Sequence, residues 1–295
     1  MEIRQMMYFI EIAKERGFSK AAAKLHLSQP ALSKMIKQLE EELGFQLVYR
    51  ASKNFMLTDY GEIFLKNARK IIEKHDDIFK EMNDISGLRK GRINIDFPSI
   101  VATLYFPRIF TGFRRKYPGI EICMFEEGSK IISERVLKGL VDIGVVMLPN
   151  TSEELTVFPL VNDESVLIVN KAHPLAEKDK ITFKDLYREE FIILNENFKL
   201  HDLIIKECMK VGYVPNIIFK SSQFDFIMEM ISLNQGISIL PRPMLERYDY
   251  PMIRRISFEP GFPWNIGMIV KKGSYMSIAL RTFIDYVQNI HKGLS

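Results

Sequence analysis

Cysteine is scarce in this chain of 295 residues, which contains two, Cys123 and Cys208. Far apart, and each in an apolar helix or strand context, they exclude a disulfide framework and read as two ordinary buried thiols of a reducing compartment. No apolar run approaches the length that crosses a bilayer. The opening MEIRQMMYF lacks the basic-then-apolar pattern of a secretory signal, so the expected location is the cytoplasm. Histidine is sparse as well: His26, His75, His173, His201 and His291 are scattered without metal-ligand spacing. Neither a glycine-rich phosphate loop nor a Gly-x-Ser-x-Gly elbow occurs. No metal and no cofactor are expected, and the catalytic alternative is reduced to a Ser-His-Asp set assembled from distant positions.

Charge of one sign is also modest. A formal net charge of +4 permits a polyanionic partner without demanding one, because the basic groups are spread along the chain. The 47% hydrophobic content is ample for buried cores, and the length predicts two domains or one large one.

What is present is most informative in residues 18–44, FSKAAAKLHLSQPALSKMIKQLEEELG. Ala21, Ala22 and Ala23, followed by Leu25, predict a small-faced helix on which a second helix sits closely. After a turn at His26 and Leu27, Ser28 stands at an N-cap and Pro30 falls in the first turn, where a missing N–H costs nothing. Ala31, Leu32, Met35, Ile36, Leu39 and Leu43 then mark the apolar side of the second helix. Gln29, Ser33, Lys34 and Lys37 lie away from it near the N-terminal end. An amide, a hydroxyl and two ammonium groups on the leading end of a helix suit a major groove: Gln reads adenine edges, Ser either kind of base, Lys a guanine or a phosphate. The run Glu40, Glu41, Glu42 sits at the far end, facing away from phosphates. By periodicity alone, a helical hairpin with a solvated polar face fits equally well.

The run from Ala22 and Ala23 through Leu27, Ser28, Gln29, Pro30, Ala31, Leu32, Ser33 and Lys34 carries on through Ile36, Leu39, Glu40, Leu43, Gly44, Leu47 and Arg50 to Leu57, Thr58 and Gly61. At these spacings it resembles the amino-terminal domain of the LysR-type transcriptional regulators. Val48 stands where that family usually has Phe, and Tyr60 where it often has Ala; both are packing changes. The resemblance implies a bacterial regulator whose winged helix-turn-helix binds duplex DNA through Gln29, Pro30, Ser33, Lys34 and Lys37. After Gly44, FQLVYRASKNFMLT has the hairpin pattern of a wing. Arg50 and Lys53 at its tip are expected to contact backbone phosphates, adding affinity and register without sequence information.

Ile3, Met6, Met7, Ile10 and Ala13 predict an opening amphipathic helix that ends near Gly17. Residues 58–86 predict a much longer one, capped by Thr58 and roughly 45 Å long at 1.5 Å per residue. Phe64, Ala68, Ile71, His75, Ile78, Met82 and Ile85 alternate steps of four and three along it, and Ile72 and Phe79 widen the stripe. Such a seam is expected to pair with its copy in a homodimer or tetramer, because two recognition helices reading two half-sites need a tie. The alternative packs the stripe within one chain.

Beyond the basic break GLRKG the pattern changes to strands alternating with helices, which predicts an α/β domain with a largely parallel sheet. A helix is expected to start near Pro107. Phe106 with Pro107, Phe113 with Tyr117 and Pro118, Gly139 with Asp142, His173 with Pro174, and Gly236 with Ile239, Leu240 and Pro241 resemble the effector domain of the same family. That resemblance implies two α/β lobes akin to type 2 periplasmic binding proteins, with crossovers near 148–161 and 262–267. The expected division is therefore 1–58 winged helix-turn-helix, 59–87 linker helix and 88–295 effector domain. Its first lobe would take about 91–160 plus 267–295, and its second about 161–266. A small, carboxylate-bearing effector would bind at strand ends and helix N-termini facing the cleft, through Ser99, Ile100, Gly128 and Ser129 of one lobe and Phe198, His201 and Phe224 of the other. Ser99 and Ser129 as plain helix caps are the alternative. Two other functions stay open on sequence grounds: an enzyme or small-molecule carrier with a helical dimerisation domain, and an architectural DNA binder without effector.

Overall fold

Spacing of apolar residues decides the first elements. The computed structural model describes residues 1–49, 55–85, 91–150, 152–247 and 250–292, leaving out the side chains of 79–80, 83–85 and 291–292. The chain divides into two compact units, residues 1–88 and 89–295. In the first, α1 (Ile3–Glu15) buries Met6, Phe9 and Ile12. It is followed by α2 (Phe18–Lys24) and α3 (Gln29–Leu43). Ala21 and Ala22 are buried, so α2 packs closely, and the turn passes through His26 in the left-handed region at φ 56°. Leu32, Ile36 and Leu39 of α3 complete this core. Gly44, at φ 76°, ends α3, a conformation glycine adopts without the strain a Cβ brings.

Glu40 differs from Glu41 and Glu42, which are exposed. It is buried, and one carboxylate oxygen accepts the N–H groups of Leu47 at 2.8 Å and Val48 at 3.2 Å. These donors belong to the strand-like stretch that pairs Val48 with Leu57, so the charge pins the base of that hairpin. Tyr60 stacks on Phe45 at 4.4 Å, and Val48 is buried. Thr58 accepts the Gly61 N–H at 3.0 Å and starts α4 (Asp59–Ile85).

In the second unit β1 (Gly91–Phe97) pairs in parallel with β2 (Ile120–Glu126) and β3 (Ile143–Met147). The parallel order stops there. Two long strands, β4 (Leu155–Asn170) and β9 (Ile253–Lys271), run antiparallel to each other, and β9 also pairs antiparallel with β3. The sheet is therefore mixed, in the order β2-β1-β3-β9-β4-β8, with β5 (Lys180–Ile181) on β9 and β8 being Ser238–Pro241. β6 (Glu190–Leu194) and β7 (Asn216–Ser221) form a parallel pair, joined to this region by a bridge from Phe191 to Ile237.

The stretches 148–161 and 262–267 expected to cross over fall largely in these two strands, which are hydrogen-bonded to each other along their length. Register shifts after Pro159 and between Ser165 and Val166 bend the ladder: Ser165 faces Phe262 while Val166 faces Ser257. Each strand thus serves both lobes, because a bulge turns its direction without breaking the pairing.

A second difference concerns α5, which runs Ser99–Lys116 with Pro107 inside it. Proline cannot donate to the carbonyl four residues back. That carbonyl, on Thr103, instead accepts from Arg247 of α9 (Arg242–Arg247). α5 and α10 (Ile278–Lys292) share Phe106, Phe113 and Phe283 in the main core, while α6 (Ser129–Leu137) covers the other face of the sheet through Ile132 and Val136. α7 (Lys199–Lys210) and α8 (Phe224–Ser232) complete the second lobe. Cys208 is buried as expected, whereas Cys123 is half-buried because β2 is an edge strand, and its thiol lies 3.5 Å from the Glu121 carboxylate.

Candidate functional site

Two surfaces gather exposed polar side chains. The first is the leading end of α3. Ser28 accepts the Ala31 N–H at 3.3 Å, Pro30 occupies the first turn, and no acidic residue stands there. Gln29, Pro30, Lys34 and Lys37 are exposed and Ser33 is half-buried. Lys37 lies 3.5 Å from Glu41 one turn on. Lys24 of α2, by contrast, is tied to Glu11 and Glu15 of α1, both at 2.7 Å, and serves the packing of the unit. A helix end with a cap beneath it and an amide, a hydroxyl and an ammonium on top can enter a groove and hydrogen-bond base edges. Arg50 and Lys53 lie outside the described residues.

Along α4 the apolar stripe divides. Phe64 meets Phe9 edge-on at 5.2 Å and Ala68 is buried, so both turn into the core of their own unit, where α1 covers them. Further along, Ile71, Ile78 and Met82 are 40%, 54% and 63% exposed and His75 is half-buried. The side chain of Ile85 is outside the described set.

The second surface is a cleft of about 490 Å³ in the 89–295 unit. Ser99, Ile100 and Thr103 from the start of α5, together with Glu126, Glu127 and Gly128 ahead of α6, line one side. Asn195, Asn197 and Phe198 ahead of α7, and Ser222, Gln223, Phe224 and Asp225 at the start of α8, line the other, with Met244 between them. Of the residues expected from sequence, Ser99, Ile100, Gly128, Phe198 and Phe224 meet here.

Ser129 and His201 do not line this cavity. The Ser129 hydroxyl accepts the Met147 N–H at 3.4 Å, and Ser129 lines a void of about 20 Å³ together with Phe198, Lys199 and Trp264. His201 is buried, with Nδ1 3.0 Å from Asp202 and Nε2 without a partner among the described residues. Both side chains are buried in the first turn of their helices, and the cleft is lined instead by the residues just ahead of those turns, Gly128, Asn197 and Phe198.

The helix starts have a common feature. The N-cap residues of α5, α6, α7 and α8 are Pro98, Gly128, Phe198 and Gln223, and none makes a side-chain cap bond. Val101 and His201 donate their N–H groups within their own first turns and Lys130 donates to the Asn197 carbonyl at 3.5 Å, while the earlier N–H groups of α5, α7 and α8 and the positive ends of these helices stand beside the cleft, an arrangement that accepts carboxylate, carbonyl or hydroxyl oxygens.

Residues that sequence reasoning missed are those that close the cleft. Lys130 of α6 pairs with Asp202 of α7 at 2.6 Å, Lys199 donates to the Pro149 carbonyl, and Gly128 lies so close to Asn197 that a Cβ would sit 2.2 Å from its carbonyl oxygen. Burial holds the Lys199 ammonium below its ordinary pKa, and Asp202 is lowered by Lys130 and His201 against the opposing effect of burial. In sequence these are unremarkable charges, since their partners come from the other lobe.

Similarity to known proteins covers both units. The family description "Bacterial regulatory helix-turn-helix protein, lysR family" matches residues 3–62, and "LysR substrate binding domain" matches residues 86–291. The uncharacterised HTH-type transcriptional regulator YwbI of Bacillus subtilis (strain 168) is 38% identical over 290 residues, covering 98% of this chain and 96% of that one. Among solved structures, a single-residue variant of full-length OxyR from Pseudomonas aeruginosa superposes with a TM-score of 0.72 at 22% identity, over 98% of this chain and 95% of that one. Full-length CbnR complexed with its target DNA superposes with a TM-score of 0.65 at 20% identity, over 98% and 99%.

Proposed function

The chain belongs to the LysR family of bacterial transcriptional regulators, DNA-binding proteins with an effector-binding domain, and we propose how its residues divide that work. The leading end of α3 carries the DNA contact. Ser33 and Lys34 read base edges, Gln29, Pro30 and Lys37 flank them, and Arg50 and Lys53 hold phosphates. The observation that supports this assignment is the exposed, capped N-terminal turn of α3 with an ammonium, on Lys34, that has no ion-pair partner among the described residues. The protein acts as a dimer or tetramer in the cytoplasm, tied by the part of α4 bearing Ile71, His75, Ile78 and Met82. It performs no catalytic step.

A small effector occupies the cleft and contacts Ser99, Ile100, Gly128, Phe198 and Phe224. Its influence is a coupling free energy, typically about 1–3 kcal/mol: an effector that prefers one spacing of the paired DNA heads shifts the assembly toward it, and DNA of that spacing tightens the effector by the same factor.

Fluorescence anisotropy of the full chain on labelled duplex from the DNA flanking its own coding region, with scrambled duplex as competitor at fixed salt, tests the reading. Binding should resist the scrambled competitor. Equal loss to either competitor would replace this assignment with an architectural role, and absence of binding would remove it.

A further inference from the structure

Charge in the cleft is one-sided. Its lining includes Glu126, Glu127 and Asp225 and, among the described residues, no Lys, Arg or His. All three carboxylates are exposed, and none has an ion-pair partner among the described residues. The cations carried by the same turns are engaged elsewhere, Lys130 with Asp202 at 2.6 Å, Lys220 with Glu196 at 2.5 Å and Lys199 with the Pro149 carbonyl. A carboxylate ligand alone would meet helix starts that suit it and side-chain charges that repel it. A ligand with two acidic groups would be repelled twice, because like charges at contact distance cost more in a partly enclosed site than in water.

Resting on the effector reading above, we infer that the effector of this chain is a small zwitterion, an amino acid or close derivative, whose carboxylate meets the starts of α5, α7 and α8 and whose ammonium meets Glu126, Glu127 or Asp225. Both halves of the recognition are already built. The earlier N–H groups of these helices supply donors for the carboxylate, and carboxylates without cations supply acceptors for the ammonium. Phe198, Phe224 and Ile100 provide the apolar wall for a side chain. A cavity of about 490 Å³ has room for any amino acid together with bridging water.

The test uses the full chain and three panels of probes: the L-amino acids, the 2-oxo acids of the same skeletons, and the amines left by removing the carboxyl group. Glucose and ribose serve as neutral controls. Thermal shift finds the binders and titration calorimetry gives their affinities. An amino acid should bind at least about tenfold more tightly than both its oxo acid and its amine, about 1.4 kcal/mol. Glu127→Gln or Asp225→Asn should remove about that factor, and added salt should weaken binding in the parent chain but less in the variant. An oxo acid or a sugar binding as tightly as the amino acid, with the binding lost in Phe198→Ala, would overturn the zwitterion and keep an effector in the cleft. Failure of every probe, controls included, would overturn both.

Discussion

Asp96 is fully buried in β1, bonded through one oxygen to the Arg135 guanidinium, with its other oxygen unpartnered among the described residues. Burial raises its pKa, and Arg135 opposes the rise. Removing the cation strands the charge, so Arg135→Met should destabilise the fold by about 3 kcal/mol near pH 8. A carboxyl whose folded pKa lies above its unfolded value favours folding at low pH and loses that advantage as pH rises. The deficit of the variant should therefore shrink toward pH 5, which urea titrations at both pH values would measure; a pH-independent deficit would contradict it. At the same scale, Ser33→Ala and Lys34→Ala should relax base preference, whereas Arg50→Ala and Lys53→Ala should weaken binding to all duplexes and flatten its salt dependence. Uniform loss from all four would sink that division of roles. Glu40 shows the limit of reading single residues. In the run Glu40, Glu41, Glu42 the three carboxylates look alike, and only the fold brings the N–H groups of Leu47 and Val48 to the first of them.

At the scale of elements, α4 makes the same point over a longer stretch. Its repeat is visible in the sequence as one seam, yet Phe64 and Ala68 are consumed by α1 while Ile71, Ile78 and Met82 stay exposed. Period alone does not separate an apolar stripe that faces its own chain from one that faces a copy. The double variant Ile71→Asp and Ile78→Asp should halve the mass of a dimer by light scattering and leave the helical circular dichroism of the 1–88 unit nearly intact. An unchanged mass would refute the seam. α5 is the other instructive element. Pro107 looks like a helix start, since proline favours a first turn, but tertiary structure supplies Arg247 to the carbonyl that Pro107 leaves unbonded, and the helix extends back to Ser99. That extension brings Ser99 to the cleft.

On the scale of the whole molecule, the cleft depends on approaches between lobes. Gly128→Ala is a steric test, because its φ of −76° suits any residue while the added Cβ would meet the Asn197 carbonyl at 2.2 Å. Overpacking of this kind costs about 1–3 kcal/mol, so the calorimetric transition of the 89–295 unit should fall by about 2–8 °C. An unchanged transition would show that the contact yields freely. The sequence by itself determined what rests on neighbours along the chain: the cap at Ser28, the small face of Ala21 and Ala22, the apolar side of α3, the length of α4 and the alternation that makes the second unit α/β. These are set by local hydrogen bonding and by the period of burial, and both are written in consecutive residues. Tertiary structure alone decided that the stretches expected to cross over fall largely in the paired strands β4 and β9, that Ser129 and His201 are buried, and that Glu126, Glu127 and Asp225 share a cavity. Those outcomes depend on which distant turns a folded sheet brings face to face, and side chains that meet only across a cleft leave no period in the chain for a reader to find.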